Sequence, residues 1–133
     1  MNSTTTRSTI QQQQPSNYKL FELTDKIKNS KTSKEALKYY QEIKQLGLIP
    51  DIYTYNILIN ILGINRNFLE CDEIYKELKN SDVKPNVITY SCLIKSFADN
   101  FPEKTKQYIR EMNSYNIKKD HIINPILKKY NIN

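Results

Sequence analysis

Residues 52–62 read Ile-Tyr-Thr-Tyr-Asn-Ile-Leu-Ile-Asn-Ile-Leu, and residues 87–97 read Val-Ile-Thr-Tyr-Ser-Cys-Leu-Ile-Lys-Ser-Phe. In the first stretch Tyr55, Leu58, Ile59 and Leu62 fall at i, i+3, i+4 and i+7, one face of a helix. Thirty-five residues later the same face is made by Tyr90, Leu93, Ile94 and Phe97, and thirty-five earlier by Leu20, Leu23, Thr24 and Ile27, with Thr24 its one polar lapse. A second stripe follows each first one. Ala36, Tyr39, Tyr40 and Ile43 recur as Cys71, Ile74, Tyr75 and Leu78, and again as Thr105, Tyr108, Ile109 and Met112, now 34 further on. The residue lost between Phe97 and Thr105 marks a loop, because loops absorb deletions and helices do not.

Punctuation divides the chain at the same places. Thr32 to Glu35 and Asn67 to Glu70 have the form of an N-cap followed by a capping-box Glu, and Asn100 to Glu103 offers a similar start with Pro102 in the first turn. Pro50 and Pro85 stop the units, and Gly47 supplies a C-cap that Asp82 and Asn116 replace later. The units are a degenerate repeat at 17–51, a second at 52–86 and a third at 87–120. Residues 121–133 form a closing helix with Asn124 as its cap. A helical hairpin of about 35 residues cannot bury its own apolar stripe, whereas about three stacked copies bury it jointly. The expected fold is therefore all-α, an α-solenoid of helix–loop–helix repeats with a C-terminal closing helix.

Composition agrees and excludes several classes. In 133 residues, 38% hydrophobic with mean hydropathy −0.67, no run reaches the ~20 apolar residues of a membrane span. Two Gly argue against a turn-rich β fold, and two Cys allow neither a disulfide framework nor a zinc ribbon. The formal charge is +6, but Lys, Asn and Ile number 17, 15 and 18. That bias is what an AT-rich coding sequence gives, so Lys richness alone is no sign of nucleic-acid binding. Residues 1–16 are polar and low in complexity, a disordered tail or a weak transit peptide. Nothing reads as catalytic. His121 is the one His and has no nucleophile or carboxylate motif around it, and Gly47 and Gly63 build no phosphate loop. Cys71 and Cys92 read as buried small hydrophobes. Glu70, Asp72, Glu73 and Glu77 read as a solvated face, with no metal site.

Two stretches are more specific than the period. Ile52 to Ile59 and Val87 to Ile94, with Leu48-Ile49-Pro50-Asp51 and Val83-Lys84-Pro85-Asn86 closing units, resemble the pentatricopeptide repeat family, as a small P-type-like array of about three repeats. The tetratricopeptide repeat is the nearest rival, but it expects a 34-residue period and an early Trp, and Trp is absent. The resemblance implies a right-handed superhelix and single-stranded RNA as partner, one base per repeat. It places base-reading pairs at Asn56 with Asn86 and at Ser91 with Asp120, for a pyrimidine and a purine respectively. Tyr53 and Ile88 would pack on base faces, and Lys95 and Arg66 would meet phosphates. Lys119 stands where the family usually has Pro, before Asp120. The corresponding reader of 17–51 is Phe21 with Asp51, and Phe reads no base edge by hydrogen bonds.

Charge limits this reading. Unit 17–51 carries seven Lys against five acids (+2), unit 52–86 four basic residues against five acids (−1), and unit 87–120 six against four (+2). Ile64 and Asp99 stand where many family members place phosphate-contacting Lys. Two read bases recur about once in 16 nucleotides. The expected function is thus a non-enzymatic RNA-binding repeat protein, without cofactor or membrane contact, assisting organellar RNA processing, stability or translation. Other proteins of an RNA-processing or ribosomal assembly are candidate partners. The alternative is a protein–protein adaptor. The mitochondrion is the expected compartment, with the cytoplasm as alternative.

Overall fold

The computed structural model describes residues 17–132; stretch 1–16, read above as a tail or transit peptide, lies outside the described residues. Every regular element among the described residues is an α-helix. These are α1 over 17–28, α2 (Ser33–Gln45), α3 (Ile52–Ile64), α4 (Phe68–Asn80), α5 (Val87–Phe97), α6 (Pro102–Ser114) and α7 (Ile123–Lys129). None is long and apolar enough to cross a membrane. The chain divides into two compact units, Met1–Pro50 and Asp51–Asn133.

In the first unit α1 buries Leu23, Thr24 and Ile27, and α2 buries Ala36, Tyr40 and Ile43. The polar lapse at Thr24 is thus inside. Thr32 caps α2 by accepting from Glu35 N–H at 3.1 Å. Gly47, at φ +72°, ends it with Leu48 N–H donating to Ile43 O and Gly47 N–H to Lys44 O. That is the six-to-one and five-to-two closure of a Schellman turn, which needs a left-handed residue.

In the second unit α3 packs against α4 and α5, and α5 packs against α6 and α7. Helices α3, α5 and α7 therefore form one row, with α4 and α6 as a second layer. The apolar stripes face one another: Tyr55, Leu58, Ile59 and Leu62 of α3 and Tyr90, Leu93, Ile94 and Phe97 of α5 are buried, as are Cys71, Ile74, Tyr75 and Leu78 of α4 and Tyr108, Ile109 and Met112 of α6. The phenyl rings of Phe97 and Phe101 meet Phe68 edge-on at centroid distances of 5.1 and 4.8 Å.

Several expected caps are corrected. Asn67 stands at the start of α4 but makes no side-chain cap bond. The residue before α6 is Phe101, not Asn100, and Pro102 fills the first turn. Asp82 is no left-handed cap. Ser81 closes α4 instead, its hydroxyl donating to Leu78 O at 2.7 Å and accepting from Val83 N–H. Asn124 lies inside α7, and the N–H groups of Ile122, just before the helix, and of Ile123, its first residue, donate to Asp120 Oδ1 at 3.0 and 2.9 Å. Asn116 does behave as expected, at φ 59° with Ile117 N–H donating to Met112 O.

Arg66 occupies the same left-handed position after α3, at φ 63°, with Asn67 N–H donating to Leu62 O. An L-residue with a Cβ pays roughly 1 kcal/mol there. Its guanidinium lies over the Phe68 ring, 5.5 Å from the centroid. Arg66→Gly should hold or raise stability by up to ~1 kcal/mol, whereas β-branched Arg66→Val should lower it. Thermal melts of the two variants check the opposite signs.

The expected solvated acidic face is also corrected at Asp72. Its Oδ1 accepts from the Tyr108 hydroxyl at 2.7 Å, and its Oδ2 meets Lys76 at 3.1 Å and Lys104 at 3.3 Å, tying α4 to α6. Beside it the Tyr75 and Tyr90 hydroxyls share a hydrogen bond of 2.8 Å, and Glu111 accepts from Tyr75 and pairs with Lys79.

Candidate nucleic-acid interface

The candidate readers sit at the beginnings of the row helices, and their placement follows from capping. Asp51 starts α3, accepting from Thr54 N–H and its hydroxyl, each at 2.8 Å. Asn86 starts α5 with a reciprocal capping box: its Oδ1 accepts from Thr89 N–H at 3.2 Å and its own N–H donates to Thr89 Oγ1 at 3.1 Å. Asp120 stands three residues ahead of α7 and leads the chain into it through the two backbone bonds above.

Each of the latter two caps is bonded to the reader expected to pair with it. Asn56 Nδ2 donates to Asn86 Oδ1 at 3.0 Å, and the Ser91 hydroxyl lies 2.9 Å from Asp120 Oδ2. The same hydroxyl is 2.9 Å from Val87 O, so its one hydrogen has two acceptors to choose between. Asn56 and Ser91 are each 6% exposed, buried by their neighbours yet reaching the surface. Both pairs are therefore assembled before any ligand arrives.

Tyr53 and Ile88 are exposed, at 51% and 54%, although both are large and apolar. Ile122 is exposed likewise and stands 34 residues after Ile88, the spacing of the shortened third unit. Register alone marks it as a third member of this ladder, which the sequence reading stopped short of. In the first unit Tyr18 and Phe21, 35 residues before Tyr53 and Asn56, are also exposed.

Ile88, Ser91, Cys92, Lys95, Asp120 and Ile122 line one open cleft of about 110 Å³. It brings together four of the eight candidate residues. Arg66 is not among them. It lies ten residues beyond Asn56, about 15 Å along the helix axis. Cys92 is half-buried, and burial raises its thiol pKa above the ordinary value. Cys71 is fully buried, donates to Ile59 O, and is pushed up to about 12 by burial and by Cys92 and Asp72 nearby. It is a packing residue at neutral pH.

Burial pushes the Asp120 carboxyl up, but the Ile123 N–H, the Ser91 hydroxyl, the Ile122 N–H and His121 outweigh it and hold it below the usual range. Asp72 is also lowered: burial opposes, while Tyr108, Lys76 and Lys104 prevail. A carboxyl depressed in the folded state adds stability above its unfolded pKa of about 3.9, lost as pH falls through the lower folded value. Stability should therefore drop progressively below about pH 4. Asp72→Asn should flatten that acid limb, as read from urea midpoints across the range.

Helix pairs in two layers, with bonded polar pairs at successive starts of one row, define a helical-repeat scaffold of the α-solenoid class. The sequence profile of the pentatricopeptide repeat domain matches residues 14–65 and 38–100. The chain belongs to the pentatricopeptide repeat family. Among solved structures it is similar to the pentatricopeptide repeat protein PPR10 in complex with an 18-nt psaJ RNA element, with TM-score 0.70 and 18% identity over 85% of this chain. A second structure of that protein and RNA, carrying three Cys-to-Ser substitutions, gives the same values. The chain spans 17% of PPR10. At this identity the likeness is one of fold, an all-α repeat solenoid. Curated protein sequences give no match.

Proposed function

We propose that the protein binds single-stranded RNA without catalysing a reaction on it, with Asn56–Asn86 and Ser91–Asp120 reading a base each. The observation that carries this reading is the pre-formed bonding of both pairs beside the exposed ladder of Tyr53, Ile88 and Ile122. A base laid between rungs of that ladder stacks on apolar faces while its edge meets the polar pair, and such stacking contributes about 1–3 kcal/mol per base. The RNA held by PPR10 supports the choice of ligand. Asp120 accepts only, which suits a guanine edge with its N1–H and amino hydrogens. Asn56–Asn86 takes a pyrimidine.

Two bases give neither tight binding nor a unique target, so the protein acts beside partners in an organellar assembly that processes, stabilises or translates RNA. The mitochondrion is its proposed location, with the cytoplasm second. Lys95, in the cleft, and Arg66 are the proposed phosphate contacts.

Salt tests the ligand class. Neutralising about three phosphates of a single strand gives a log–log slope near −2, about a twentyfold loss of affinity between 50 and 200 mM salt. The exposed Ile64 and Asp99, and the −1 charge of unit 52–86, favour a second reading, an adaptor whose row of helices holds a protein segment. A flat salt response, with a protein partner that survives nuclease treatment, would support that reading and sink the first.

A further inference from the structure

The loops that end units 52–86 and 87–120 leave a groove between them. One part, of about 550 Å³, is lined by Val83, Pro85 and Ile117 and by Tyr115, whose ring is half exposed. A second, more open part of about 400 Å³ continues from Ile117 past Asn116 to Lys118 and Lys119. Both volumes are in the ~300–1,000 Å³ range of sites that hold ligands. The apolar lining is fixed by the chain itself: Val83 N–H donates to Ser81 Oγ and Ile117 N–H to Met112 O, each at 3.1 Å. A ligand meets a formed surface, so little is lost in ordering it. The groove shares no lining residue with the cleft that holds Ser91 and Asp120.

Its charge is one-sided. Lys79 pairs with Glu111, which also accepts from Tyr75 and Gln107. Lys84, Lys118 and Lys119 make no ion pair among the described residues, and Asp82 is the one acid lining the groove. Three unpaired cations thus face one carboxylate, and an anionic ligand is drawn to such a surface. Lys118 and Lys119 also lie outside any helix, and their backbone N–H and C=O groups make no hydrogen bond among the described residues. A peptide answers both kinds of group with its own backbone, whereas a phosphate only accepts.

We propose that this groove docks an acidic peptide segment of a protein partner, seating one apolar side chain against Val83 and Ile117 with carboxylates on either side of it at Lys84 and at Lys118 and Lys119. The chain's own residues 1–16 contain no acid and do not meet that description. Because the groove and the cleft are lined by different residues, a partner seated here leaves the cleft open to its own ligand.

The test selects short random peptides, displayed on phage, against the full chain and measures the affinity of the peptides recovered. They should share an apolar residue with Asp or Glu on both sides of it. Lys84→Glu with Lys118→Glu should weaken them about tenfold, the effect of losing two exposed charge pairs. Both side chains are exposed, so the fold should tolerate the change. Lys34→Glu with Lys38→Glu, exposed on α2, alters the net charge equally and should cost less than about twofold. Replacing the shared apolar residue of the peptide by Ser should also weaken binding about tenfold, with the protein unaltered. A selection without acidic bias would overturn the proposal, as would equal losses from the two charge variants. Displacement of the bound peptide by a uridine oligomer would assign the groove to nucleic acid and overturn it likewise. The selection and the charge variants use no RNA, so this proposal and the RNA reading fail separately.

Discussion

Gly63→Ala should destabilise the second unit by about 1–3 kcal/mol, the usual cost of forcing an extra methyl into a packed interface. Gly63 lies near the end of α3 against α5, and a Cβ built on it would sit 2.1 Å from Ser96 Oγ and 2.8 Å from Ser96 Cβ. The second distance matters more. A hydroxyl can rotate away, but a Cβ moves only with its helix, so α3 and α5 must separate. Because α5 also carries α6 and α7, the strain reaches the whole unit. Urea unfolding should show a lower midpoint for Gly63→Ala and substantial recovery in the double variant with Ser96→Gly, which removes the clashing atom. A double variant no more stable than Gly63→Ala alone would refute the close-approach account.

Asn56→Ala with Ser91→Ala should weaken RNA binding by roughly five- to 150-fold while the far-UV helix signal persists. On the RNA reading proposed above, each substitution removes hydrogen bonding to a base edge worth about 0.5–1.5 kcal/mol, and tenfold corresponds to about 1.4 kcal/mol. The helices survive because Asn86 and Asp120 keep their backbone cap bonds without these partners. Unchanged affinity would remove both residues as readers.

The helices were legible in the sequence because burial imposes a period, and the period is what a single chain displays. Thr32, Gly47 and Asn116 were legible too, since their partners lie within five residues. What escaped was decided at long range. Asp120 and Asn124 are both good helix starters four residues apart, and Ser91, 29 residues before Asp120, is bonded to the one that serves. Asp72 sits in an acidic run that reads as solvated, yet its partners Lys104 and Tyr108 are 32 and 36 residues away. Gly63 reads only as unfit for a phosphate loop, because a close approach between helices leaves no local trace. The pairing of Asn56 with Asn86 was legible through family resemblance alone; no spacing rule among the residues themselves demands it. Ile122 was within reach by counting 34 from Ile88 and was missed because 121–133 was read as a closing helix rather than as the opening of another unit.

In the RNA reading proposed above, Asn86 and Asp120 each serve two masters, the strand outside and the helix behind. Any redesign of base preference at these positions inherits a restricted alphabet. Asn, Asp, Ser and Thr can hold the free N–H groups of a new helix, whereas Gln, Lys or Arg would offer richer chemistry to a base at a cost of about 0.5–2 kcal/mol in lost capping. The variety of messages such an array can learn to recognise is thus bounded by folding, before selection for any particular RNA begins.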